Sequence, residues 1–117
     1  MNYLNKIFIS LFIVLFFSTC SSVEITKEKP DINQIKNHSE FKIILQENHS
    51  EGYSWHLNQN YDKKMLSFVN SVWHGKDKGL YFHFKTLSAG QTELIFIKRK
   101  YSDTTEVKIF VINILDE

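Results

Sequence analysis

A chain of 117 residues with 14 Lys and Arg against 13 Asp and Glu holds one domain at most and carries a net charge of +1. Lys6 is the only charged residue among the first 19, so the remainder balances 13 cations with 13 anions, leaving no basic excess for nucleic acid or anionic lipid headgroups. A single cysteine, Cys20, excludes an intramolecular disulfide, so the fold must rest on a hydrophobic core, which an aromatic content of 15% can supply.

Residues 1–19 have the layout of a secretory signal: one early cation, an apolar run from Ile7 to Phe17, then small polar residues. The run is too short to cross a bilayer comfortably, so an exported protein with a cleaved signal is expected in preference to a permanent membrane span. Cleavage is expected before Cys20, because Phe17-Ser18-Thr19-Cys20 resembles a bacterial lipoprotein processing site. An ordinary cleaved signal with an incidental cysteine is the alternative. An acylated Cys20 would tether the domain to a membrane of the cell envelope through residues 20–38, read as a polar linker containing Pro30; without acylation the protein would be secreted.

The folded domain is placed at 39–117 and breaks into short extended runs. In chain order these are Phe41 to Leu45, Tyr53 to Leu57, Leu66 to Trp73, Leu80 to Lys85, Leu94 to Ile97 and Val107 to Ile112. Leu80, Phe82 and Phe84 share one face while Tyr81, His83 and Lys85 share the other, and Leu66 to Trp73 alternates with one slip around Asn70. Two-residue periodicity bounded by Gly, Asn, Asp and Ser clusters marks strands. Ser88-Ala89-Gly90 and Tyr101 to Thr104 read as tight strand connections. Only Asp31 to Ser39 and Asp62 to Leu66 have room for a helical turn, and neither carries a sustained apolar stripe. The expected fold is all-β: an immunoglobulin-like antiparallel β-sandwich preceded by the signal peptide and linker.

The segment Asn48-His49-Ser50-Glu51-Gly52-Tyr53-Ser54-Trp55 passes from a polar run ending in glycine straight into an aromatic-alternating strand. Asn and Gly tolerate left-handed backbone, and Tyr and Trp suit a half-buried pleated surface, so this is an exposed loop tip gripped by a strand. It resembles the first binding loop of chagasin-type inhibitors of papain-like cysteine proteases, Asn-Pro-Thr-Thr-Gly-Tyr-Ser-Trp. His49 stands for the proline and Glu51 for the second threonine. Gly75-Lys76-Asp77-Lys78-Gly79, leading into Leu80-Tyr81-Phe82-His83-Phe84, is similar to the family's glycine-rich second loop and the Phe-x-Phe strand after it. The third loop departs: where the family has Arg-Pro-Trp, this chain has Lys98-Arg99-Lys100-Tyr101. The resemblance implies a non-enzymatic, cofactor-free inhibitor that plugs a papain-like protease cleft with three loops at one end of the sandwich. It implies protease contacts at Asn48, His49, Ser50, Glu51, Gly52, Tyr53, Trp55, Gly75, Lys76, Asp77, Lys78, Gly79, Arg99, Lys100 and Tyr101. Tyr53 and Trp55 have a second reading, as packing residues that brace the loop from below. A monomer is expected.

Other chemistry finds little support. The five histidines fit no zinc-ligand spacing, and no nucleophile elbow, paired catalytic carboxylates or phosphate-cradling loop is present. Asn37-His38-Ser39 and Asn48-His49-Ser50 both fit the N-glycosylation sequon, and a glycan on Asn48 would block the proposed wedge. Two rival readings share the fold: a surface binding or adhesion module, and a structural envelope lipoprotein with no inhibitory role.

Overall fold

The computed structural model describes residues 22–116; the expected signal peptide and Cys20 lie outside them. Eight strands form two four-stranded sheets. They are β1 (Val23–Glu24), β2 (Ile32–Lys36), β3 (Glu40–Leu45), β4 (Tyr53–Leu57), β5 (Leu66–Trp73), β6 (Leu80–Thr86), β7 (Gly90–Lys100) and β8 (Asp103–Leu115). One sheet runs β1-β3-β6-β5 and the other β2-β8-β7-β4. The only helical element among the described residues is a 3₁₀ turn, His49–Glu51.

Alternation places the core as the sequence predicts. Phe41 and Phe84 face each other across the β3–β6 ladder with ring centroids 5.2 Å apart, and both are fully buried. Phe96 on β7 closes the sandwich from the other sheet, edge-on to Phe82 at 4.8 Å and to Phe110 at 5.7 Å. Edge-to-face pairs of this kind add about 0.5–1.5 kcal/mol each beyond the area they bury. The slip expected near Asn70 is a register shift between Phe68 and Asn70, which puts Val69 outward and half exposed on the edge strand β5.

The N-terminal segment departs from the sequence reading. Residues 22–38, within the expected linker, are part of the sandwich: β1 pairs with β3 and β2 with β8, burying Ile25, Asn33 and Ile35. Asn33 ties this arch down, donating to the carbonyls of Lys27 (2.7 Å) and Val111 (3.2 Å) and accepting from Lys27 N–H (3.2 Å). Its edge strands need only one buried side chain in two, so isolated isoleucines among polar residues suffice, and such a segment reads as polar. The same two strands pair in parallel with their neighbours, so the sandwich is antiparallel only in its other ladders. The possible helical turn at 31–39 instead contains strand β2.

The topology positions the loops. β3 leads into β4 through loop 1 (residues 46–52), β5 into β6 through loop 2 (74–79), and β7 into β8 through loop 3 (101–102). Register places the ends of these strands together: Leu45 opposite Leu80, Trp73 opposite Leu80, Tyr53 opposite Lys100.

Candidate functional site: three loops at one pole

Loop 1 is built from its base upward. Glu47 is a buried carboxylate, with only 3% of its side chain exposed. One oxygen accepts the Trp55 backbone N–H at 2.6 Å, and the other is bonded to His49 Nε2. Trp55, itself 5% exposed, donates its indole N–H to the Gln46 carbonyl at 2.8 Å. These bonds draw both stems of the loop onto one buried residue pair. Above them the chain closes on itself: Glu51 N–H and Tyr53 N–H both donate to the Asn48 carbonyl at 3.2 Å, and Gly52 N–H to that of His49 at 3.0 Å. Ser50 Oγ donates to Asn48 Oδ1 at 2.7 Å. Gly52 ends the turn at φ +85°, left-handed backbone in which glycine has no steric penalty.

Loop 2 closes through Gly79 N–H and Lys78 N–H donating to the Gly75 carbonyl, at 2.8 and 3.1 Å. Gly79 has φ +93°, and a Cβ there would lie 2.8 Å from the Leu45 carbonyl oxygen, so only glycine lets loop 2 lie against the root of loop 1. Loop 3 is a two-residue hairpin turn. Tyr101 sits at φ +60°, uncommon for a non-glycine residue, and is 83% exposed.

The three loops meet. The His49 ring lies 4.4 Å from that of Trp73, where β5 enters loop 2. Gly52 faces the Tyr101 ring, close enough that a Cβ would stand 3.5 Å from it. A cavity of about 460 Å³ opens beside loops 1 and 2, lined by Gln46, Glu47, Asn48, Glu51, Tyr53, Lys76 and Lys98. Lys98 and Lys100 each place their ammonium 5.1 Å from the Tyr53 ring centroid, which steadies the start of β4. Lys98 is also paired with Glu106 at 3.2 Å.

All the residues expected from the sequence therefore gather at one pole, in two roles. Asn48, His49, Ser50, Glu51, Lys76, Asp77, Lys78, Arg99 and Tyr101 are exposed. Trp55 and Gly79 are buried, and Gly52, Tyr53, Gly75 and Lys100 are partly covered, so these shape the surface more than they form it. Sequence reasoning missed Gln46, Glu47, Trp73 and Lys98. Trp73, 39% exposed at the end of an edge strand and two residues before Gly75, was the most legible of the four.

Three loops converging at one pole of a sandwich present a surface of the kind that binds another protein. The model of the chagasin family peptidase inhibitors, I42, matches residues 34–114, and the chain belongs to that family. As a member it inhibits papain-like cysteine proteases and is not an enzyme. No curated protein sequence matches it. Among solved structures, the cysteine protease inhibitor EhICP2 from Entamoeba histolytica is similar in fold, with a TM-score of 0.66 at 20% sequence identity over 80% of this chain and 96% of that one.

Proposed function

We propose that inhibition is steric, with loops 1, 2 and 3 entering the substrate cleft of a papain-like protease as one blunt wedge. The observation that carries this reading is the contact of loop 1 with the entry to loop 2 and with loop 3, His49 against Trp73 and Gly52 against Tyr101. Ser50 and Glu51 form the exposed crown of loop 1 and would stand nearest the enzyme's catalytic Cys and His. The association is non-covalent. The wedge arrives already ordered by its own hydrogen bonds, which limits the entropy lost on association. Tyr101 takes the place of the family's third-loop Trp as the aromatic anchor: it is largely exposed, and its strained backbone serves presentation rather than packing.

The protein that carries this wedge is proposed to be an exported monomer held to the cell envelope through an acylated Cys20. The signal-like residues 1–19 and the processing-site resemblance support that, and mass spectrometry of the mature N-terminus tests it. The wedge itself is tested by titrating papain with the wild type and with Ser50→Arg and Glu51→Arg. Wild-type inhibition that falls at least tenfold in both variants is expected; no inhibition at micromolar wild type would sink the reading.

A further inference from the structure

Loop 1 lacks the proline that stiffens it elsewhere in the family, yet three backbone hydrogen bonds to the Asn48 and His49 carbonyls close it. We infer that Glu47 is the positioning residue that replaces it, clamping loop 1 through Trp55 N–H and His49 while His49 rests on Trp73. This rests on the reading of loop 1 as part of the wedge, and goes beyond it by assigning the loop's rigidity to a particular buried carboxylate.

The geometry carries the assignment. Glu47 is 7% exposed as a residue and 3% in its side chain, an unusual depth for a carboxylate beside a surface turn. Its two oxygens serve two separate parts of the loop: one holds the strand that leaves it, the other the ring that crowns it. Burying an ionisable group is unfavourable unless its bonds are made, so Glu47 holds its place only while Trp55 N–H and His49 hold theirs. His49 then transmits the restraint to the entry of loop 2, because its ring packs, tilted, against that of Trp73 at 4.4 Å. A single carboxylate thus links the register of loop 1 to that of loop 2. Position 49 also accepts a covalent substitute: Asn48 has φ −112° and ψ 85°, outside the helical region that a following proline disfavours. Among the described residues His49 N–H has no hydrogen-bond acceptor that a proline would forfeit.

The test uses Glu47→Ala, Glu47→Gln, and Glu47→Ala with His49→Pro, each in the full domain at a temperature where it is folded. Backbone ¹⁵N relaxation of residues 48–52 in the free protein reads the brace directly, and rates of association with and dissociation from papain read its consequence. In Glu47→Ala the order parameters are expected to fall from about 0.85 to below about 0.6. Its inhibition constant is expected to rise roughly tenfold or more. Glu47→Gln, which keeps an acceptor for Trp55 N–H and a polar group for His49, should stay near wild type on both counts. His49→Pro should return most of the affinity lost in the Ala variant, which a merely stabilising role for Glu47 would not produce. Unchanged order parameters in Glu47→Ala, or an equal loss of affinity with and without the proline, would overturn the assignment. Should wild type fail to inhibit papain, the wedge reading falls while the relaxation data still decide the brace. Should Glu47→Ala not fold, His49→Ala breaks the same link from the exposed side and takes the same two measurements.

Discussion

Loop 1 and loop 3 meet at Gly52 and Tyr101 but are made in opposite ways. Loop 1 is shaped from below, with a buried carboxylate, a buried indole and a glycine at left-handed φ determining where its exposed crown can be. Loop 3 is a bare hairpin end between the paired residues Lys100 and Asp103, and it offers a single large side chain to solvent. The first spends buried contacts to hold a shape; the second accepts backbone strain at Tyr101 to present an anchor. Stability and affinity should therefore respond to different residues in the two loops, although both belong to one surface.

Mutations separate the two designs. The largest effect is expected from Trp55→Ala, which empties the space beneath loop 1 and leaves the Gln46 carbonyl without its donor; unfolding in urea should register a loss of about 3–5 kcal/mol. Gly79→Ala comes next. It combines φ +93° with a Cβ 2.8 Å from the Leu45 oxygen, and should cost about 3 kcal/mol in the same assay. Gly75→Ala, at φ +102° but with no atom within 4 Å of its Cβ, should cost only about 1 kcal/mol. Tyr101→Ala should leave the unfolding free energy in urea within about 0.5 kcal/mol of wild type, yet weaken papain binding by about 2 kcal/mol, roughly thirtyfold in the inhibition constant. A matching loss of stability would show that loop 3 is a structural turn and not an anchor. Tyr101→Gly should sharpen the contrast, gaining about 0.5–1 kcal/mol in stability by releasing the strain while losing affinity as Ala does. The smallest change belongs to Arg99→Ala, whose side chain is exposed and makes no salt bridge among the described residues; either assay should move by less than about 0.5 kcal/mol.

Most strands were legible in the sequence because a two-residue period survives in any window wide enough to show it. Phe41, Ile43 and Leu45 are all buried, as are Phe82 and Phe84, where alternation placed them. The N-terminal arch was not legible. Ile25 and Ile35 each have one apolar neighbour close in sequence, Val23 and Ile32, yet those two are exposed, and which is buried depends on β3 and β8 lying alongside. The site divides in the same manner. Gly52, Gly75 and Gly79 announced their turns, and all three take positive φ. Glu47 looked like one more surface acid, since nothing near it in sequence hints that its partner is the backbone of Trp55.

What the sequence alone determined was the alternation, the turns and the family pattern of the first loop, all of them local properties written within a few neighbouring residues. The tertiary structure decided which residues hold that loop still, that Trp73 and Tyr101 flank it, and that the polar N-terminal segment joins both sheets. Those facts rest on contacts between distant stretches of chain, where burial and hydrogen-bond partners exist only once the two sheets have closed on each other.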